Sequence, residues 1–141
     1  SASGEYVMSN SKDAQILFWR TKDGSLLQSI SAFRDMQWQS PWTCILGWPV
    51  IGIWGDPNYD SQDVKSCCES FEPNAGYLAI GDDQGHVKLF RFPSPYTEPP
   101  YKSYGGHSAF VTKVRFSRTN LLATMGGDDH CIALWSLDFS D

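Results

Sequence analysis

Three copies of one short pattern, each ending on an aromatic residue, constrain what this chain can fold into. The copies end at Trp19, Phe90 and Trp135, with apolar residues one and three positions before the aromatic in every case. Apolar residues two positions apart predict a strand with one buried face. Asp residues before them, joined by Gly in the later copies, predict a tight turn. A second apolar run lies upstream of each turn, so each copy is expected to form strand, turn, strand.

The spacing of the copies indicates how many strands separate them. Phe90 and Trp135 are 45 residues apart, which suits one four-stranded blade of a β-propeller. Trp19 and Phe90 are 71 residues apart, which is too long for one blade and too short for two. The sequence therefore predicts an insertion in this interval. It also predicts that the first unit begins at its second strand and that the last ends after its third.

The last unit carries the most complete motif. It opens with Gly106-His107, turns at Asp128-Asp129 and ends at Trp135. This arrangement resembles a WD repeat. The resemblance implies a buried chain of hydrogen bonds in which a histidine, a strand hydroxyl, a turn aspartate and a tryptophan take part, and which stiffens a blade without doing chemistry.

Carried over by position, this chain of hydrogen bonds falls on six residues in two units. His107, Asp129 and Trp135 match in the last unit, while Ser11, Asp13 and Trp19 match in the first. The hydroxyl position of the last unit falls on Gly127, so that chain is incomplete unless Thr124 substitutes.

The fold predicted from these units is all-β. It is a WD-repeat β-propeller fragment of about two and three-quarter four-stranded blades, in which the first blade lacks its inner strand and the last lacks its outer strand. We expect a partial blade over residues 1–61, a complete blade over 62–105 and the last blade over 106–141. All three belong to one propeller that continues N-terminally in a longer parent chain, and they pack against its remaining blades.

The inserted interval contains a Trp-rich segment, Thr43–Gly55, with the sequence TCILGWPVIGIWG. Gly47-Trp48-Pro49 lies between two apolar runs, which predicts a hairpin over residues 43–54. One interpretation is a hairpin packed over a blade. The alternative is an exposed aromatic contact surface, because Trp anchors protein interfaces. Trp48, at the predicted turn, and Tyr59, in the loop that follows, are the candidate protein-contact residues.

The other features of the chain argue against several functional classes. Its formal charge is −5, which disfavours nucleic acid as a partner, and no apolar run is long enough to span a membrane. No nucleophile with a base is apparent, and we expect no enzyme activity and no cofactor. A zinc site is not expected either, because the residues that could supply ligands lie on different strands or turns. Those residues are Cys67, Cys68, His86, His107, His130 and Cys131.

Three blocks of the sequence resemble the echinoderm microtubule-associated protein-like family. They are Thr43–Trp54 with the preceding SAFRDMQW, the stretch GDDQGHVKLFRF at Gly81–Phe92, and YGGHSAFVTKVRF at Tyr104–Phe116. The resemblance implies a non-enzymatic, cytoplasmic scaffold of the cytoskeleton whose propeller engages tubulin or microtubules. Since tubulin surfaces are acidic, charge steering would oppose this encounter. The alternative function is a general WD-repeat adaptor for a signalling or ubiquitin-ligase complex.

Overall fold

Ten short strands form three antiparallel sheets in the computed structural model, which describes residues 1–11, 13–55, 64–71, 76–119 and 121–138. The sheets contain three, four and three strands, and strands that are adjacent in sequence are paired in space. The first sheet comprises β1 (Tyr6–Asn10), β2 (Ile16–Arg20) and β3 (Leu26–Leu27). The middle sheet comprises β4 (Val64–Glu69), β5 (Tyr77–Asp82), β6 (His86–Arg91) and β7 (Tyr101–Gly105). The last comprises β8 (Val111–Phe116), β9 (Leu121–Gly126) and β10 (Ile132–Ser136).

This arrangement confirms the predicted all-β fold class. The middle sheet has the four strands of a complete blade, and each flanking sheet has three. β4 and β8, the first strands of the middle and last sheets, each have an irregularity near the N-terminal end. The pairing register shifts between Val64 and Ser66 in one, and between Val111 and Lys113 in the other. The same bulge at the same place in both sheets is the structural counterpart of the repeat in the sequence.

The first three strands of the middle sheet are buried on both faces, whereas β7 is exposed. Cys67 and Cys68 are adjacent on β4 and therefore point to opposite faces, yet both are fully buried. Cys67 belongs to an apolar cluster with Leu78 and Ile80, whereas Cys68 belongs to a second cluster with Val111. Neither cysteine faces solvent. One face of the middle sheet packs on the last sheet, and the other packs on Trp42, Val50 and Ile53, so β4 and β5 have no solvent-facing side.

Residues 28–54, which we name the covering segment, pack on the first two sheets. Phe33 is buried and stacks on Phe18 of β2, with ring centroids 4.3 Å apart and planes 5° apart. Trp42 joins the middle-sheet cluster, and its backbone N–H donates to the carboxylate of Glu69 at 2.7 Å. Full burial of one large apolar side chain is worth about 1.5–3 kcal/mol, so these anchors fix the segment.

The predicted hairpin over residues 43–54 is wrong. Trp48–Trp54 forms 3₁₀-helical turns, interrupted at Val50 by non-helical backbone angles. Gly47 precedes them with a φ of 128°, and Pro49 lies in the first helical turn, where its missing N–H is no disadvantage. Val50 and Ile53 fill the middle-sheet cluster. Apolar runs of this length suit a buried helical turn as well as a strand, and the packing decides between them.

Candidate functional site

A chain of four side chains links β9, β10 and the loops beside them in the last sheet. Nδ1 of His107 lies 2.8 Å from Oδ2 of Asp129, and Nε2 of the same ring lies 2.8 Å from Oγ1 of Thr124. Nε1 of Trp135 donates to that same hydroxyl oxygen at 2.8 Å. The structure thus brings together the three predicted residues, and Thr124 supplies the hydroxyl in place of Gly127. We refer to these four residues as the blade network.

The hydrogen-bonding capacities of these groups set the direction of the blade network. A carboxylate only accepts, so the proton of the neutral imidazole lies on Nδ1 and His107 donates to Asp129. Nε2 of His107 then accepts from the Thr124 hydroxyl, which in turn accepts the indole N–H of Trp135. Every polar atom in this run has a partner of the right kind, which is the condition for a buried polar network to stabilise a fold.

Two glycines make room for the blade network. A Cβ on Gly126 would collide with the Asp129 carboxylate, and one on Gly106 would lie 2.7 Å from the Trp135 ring. Asp129 also accepts backbone N–H groups from Ser108 at 3.2 Å and from Cys131 at 3.0 Å. The Cys131 bond is the largest reason that the pKa of Asp129 lies below its usual range, and the bonds from His107 and Ser108 act in the same direction. Asp129 is therefore held as an acceptor rather than poised to exchange protons.

The first sheet has a reduced version of the network, and the predicted residues differ in part. Nε1 of Trp19 donates to the hydroxyl of Ser9 at 2.9 Å. The expectation that Ser11 would supply this hydroxyl is wrong. Asp13 is exposed in the turn before β2. The indole N–H of Trp19 bonds directly to Ser9, and Asp13 takes no part in that bond.

Cross-strand register explains where the hydroxyl falls. Val7 lies opposite Trp19, and Ser9 lies two residues further along β1. The last sheet repeats this diagonal, since Leu122 lies opposite Trp135 and Thr124 lies two residues further along β9.

The middle sheet has an apolar residue at the equivalent position. Leu78 lies opposite Phe90, and Ile80 is two residues further along β5. Phe90 has no N–H to donate, so an apolar partner suits it.

The middle sheet instead contains a buried ion pair that sequence reasoning missed. Asp82 is fully buried, and its Oδ2 lies 3.1 Å from Nζ of Lys88, which is 7% exposed. Oδ1 of Asp82 accepts the backbone N–H groups of Gln84 at 3.0 Å and His86 at 2.8 Å. The signal in the sequence was a lysine between two apolar residues of a strand, Val87 and Leu89, preceded by a turn aspartate. The pair fixes a turn.

The predicted contact residue Trp48 lies on the surface of the covering segment. Its side chain is 47% exposed, and the guanidinium carbon of Arg34 lies 4.1 Å from the centre of its ring. The covering segment packs on the blades without the predicted hairpin, and one of its tryptophans is exposed. Trp42, Val50 and Ile53 pack inward while Trp48 faces outward. Tyr59, the other predicted contact residue, lies outside the described residues.

A proline-rich loop between β6 and β7 is fastened to the covering segment. Ser94 is fully buried, and its backbone N–H donates to the carbonyl of Pro49 at 2.7 Å. The N–H of Gly52 donates to the carbonyl of Ser94 at 2.9 Å. This pair of bonds holds the exposed side chains of Ile51 and Tyr96 on neighbouring segments. The three exposed side chains on these two fastened segments, Trp48, Ile51 and Tyr96, are together named the aromatic ridge.

A groove of about 460 Å³ lies between the middle and last sheets. Tyr77, Leu89 and Tyr101 line one side, and Trp135 and Leu137 line the other. Ile132 and Leu134 lie on β10, and their side chains are 72% and 71% exposed. The last strand therefore offers apolar surface at the end of the described fold.

Three of the four thiols of the chain, those of Cys44, Cys67 and Cys68, are unsuited to nucleophilic chemistry. Burial raises the pKa of all three of these thiols. A thiol with a raised pKa is a poor nucleophile because the thiolate is the reactive form. Within the described ranges, no group of three or more His, Cys, Asp or Glu side chains is placed to hold a metal ion. The described part of the chain also has no helix of the length and apolarity that crossing a bilayer requires.

The blade-like sheets, with the blade network in the last of them, define the class of this protein as a β-propeller. The family described as "Echinoderm microtubule-associated protein second beta-propeller" matches residues 1–137. The chain belongs to the echinoderm microtubule-associated protein-like family, as its sequence blocks predict.

Curated relatives of this family match nearly the whole chain. It is 38% identical over 96% of its length to echinoderm microtubule-associated protein-like 3 of Mus musculus. It is 36% identical over 96% of its length to human echinoderm microtubule-associated protein-like 1. It is 37% identical over 97% of its length to the 77 kDa echinoderm microtubule-associated protein of Lytechinus variegatus. The chain spans only 15%, 16% and 20% of these relatives. Among solved structures, the computationally designed Ika4 protein aligns with 95% of this chain and 61% of its own at 16% identity, with a TM-score of 0.40.

Proposed function

We propose that this chain is a non-enzymatic part of a microtubule-associated scaffold and that its blades form a platform for tubulin. The relatives it matches are named as microtubule-associated proteins. A location at the cytoskeleton in the cytoplasm follows from this proposal. The blade network is proposed to stiffen the last blade, since its four polar side chains satisfy one another and leave no group for catalysis.

The exposed Trp48 on an anchored segment is the observation that carries the proposed contact. A large aromatic side chain held at the surface by buried neighbours loses little conformational freedom when a partner covers it. With a formal charge of −5, the chain gains nothing from long-range attraction to an acidic partner. The contact must therefore depend on local burial of aromatic surface and on local charge.

Co-sedimentation with polymerised tubulin tests this proposal. The Trp48→Ala variant should bind about tenfold more weakly, which is the usual scale for removing an interface anchor. Leu134→Ala is the matched control, because Leu134 is 71% exposed on β10, away from the aromatic ridge. Equal dissociation constants for the Trp48→Ala variant and the unmodified chain would refute the contact. Capture of signalling or ubiquitin-ligase proteins without tubulin would favour the adaptor function.

A further inference from the structure

Arg34 and Trp48 form an exposed cation–aromatic pair in a chain that is acidic overall. The guanidinium lies over the indole at 4.1 Å from the ring centre, and both side chains are exposed. Arg34 takes part in none of the ion pairs found among the described residues. Among the described residues, its guanidinium therefore lies over the aromatic ring and meets no carboxylate.

Both members of the pair are held in place by buried neighbours. Arg34 follows Phe33, which packs on Phe18 in the first sheet. Trp48 follows Gly47, at which an added Cβ would lie 2.8 Å from the Trp42 ring. The pair is thus fixed from the first sheet on one side and from the middle-sheet core on the other. A partner that binds it meets a preformed site.

We propose that this pair binds a carboxylate of an acidic segment on a protein partner. The planar guanidinium donates to the carboxylate, and an apolar side chain next to that carboxylate packs on the aromatic ridge. A guanidinium matches a carboxylate with two parallel N–H bonds, and an aromatic ring beneath it keeps the fork oriented. This inference rests on the proposed function, to which it adds the chemistry of the partner. It also supplies the local attraction that the net charge of the chain does not.

The surroundings of the pair restrict what can bind there. Ile51 and Tyr96 are 41% and 57% exposed, on the covering segment and on the loop that is fastened to it. Asp35 is exposed and follows Arg34 in sequence, so it repels an incoming carboxylate in part. The ligand must therefore combine negative charge with an apolar side chain, and charge alone is not sufficient.

The direct test uses a fluorescent peptide rich in glutamate with one central leucine, titrated with the full chain. Arg34→Ala should weaken binding about fivefold, and Arg34→Lys, which keeps the charge but loses the flat fork, about twofold. Asp35→Asn should strengthen it about twofold by removing repulsion. Arg118→Ala is the matched control, because the Arg118 guanidinium lies 5.5 Å from the Phe71 ring elsewhere on the surface. The same peptide with glutamine in place of glutamate should not bind.

The outcomes separate this inference from the proposed function. Equal weakening by Arg34→Ala and Arg118→Ala, or no binding of the glutamate peptide, would overturn the inference even if Trp48→Ala still reduces tubulin binding. Loss of peptide binding in Arg34→Ala with tubulin binding unaffected by either substitution would support the carboxylate site and refute tubulin as its partner. Circular dichroism of each variant checks that the fold is retained.

Discussion

Replacing Thr124 with valine tests whether the blade network stabilises the last sheet. Valine has nearly the shape of threonine, so the substitution removes the hydroxyl without opening a cavity. Thr124 is 1% exposed, and its oxygen is the partner of both His107 and Trp135. The variant therefore leaves one buried ring nitrogen and one half-buried indole N–H without partners. An unsatisfied buried polar group costs about 1–3 kcal/mol, so we expect a loss of about 2–4 kcal/mol.

Chemical denaturation followed by tryptophan fluorescence measures this loss. In a thermal melt of a chain of this size, each kcal/mol of lost free energy of unfolding lowers Tm by about 3 °C, so Tm should fall by about 6–12 °C. Thr112→Val is the control, because the Thr112 hydroxyl makes a single exposed bond to the Met125 carbonyl at 2.9 Å. It should lose about 0.5 kcal/mol. If the two variants lose the same free energy of unfolding, the reasoning about the buried network is refuted.

Three further predictions concern acid stability, packing and thiol reactivity. Because the pKa of Asp129 is lowered in the folded state, its contribution to the free energy of unfolding is complete above the unfolded pKa of about 4 and is lost as the pH falls through the folded pKa. The urea midpoints of the protein and of the Asp129→Asn variant should therefore converge below about pH 4. A gap between the two midpoints that stays constant with pH would contradict this. Gly52→Ala places a Cβ 2.8 Å from the Pro99 ring and should lower the free energy of unfolding by about 1–3 kcal/mol, measured by urea titration; an unchanged midpoint would show that the loop yields freely. Exposed Cys131 should react with a thiol reagent in the native protein and buried Cys67 only after unfolding, as mass spectrometry of alkylated peptides can show; simultaneous labelling would refute the burial of β4.

Much of the fold could be predicted because its signal is local. The alternation of apolar residues before Trp19, Phe90 and Trp135 marks β2, β6 and β10, and the turn residues mark where each hairpin reverses. The Trp-rich segment was predicted less well. Its apolar runs satisfy either a strand or a buried helical turn, and only packing against the middle-sheet core selects the turn.

The blade network shows the same limit at the level of single residues. Counting back through the turn pointed to Ser11 and Gly127 as the hydroxyl positions. The hydroxyls belong instead to Ser9 and Thr124, which lie on the neighbouring strand diagonally from each tryptophan. Position along the chain does not fix that diagonal, because the turn can accommodate a different number of residues without changing the pairing of the strands.

The sequence alone determined the blade repeat through residue type and spacing, and through its resemblances it indicated the family and three of the four members of the last network. The tertiary structure decided which hydroxyl completes the network, that both faces of β4 are buried, and that Arg34 lies over Trp48. These facts depend on which segments meet in space. Such meetings are set by the packing of one sheet on the next and of the covering segment across both, and no pattern within a single segment encodes them.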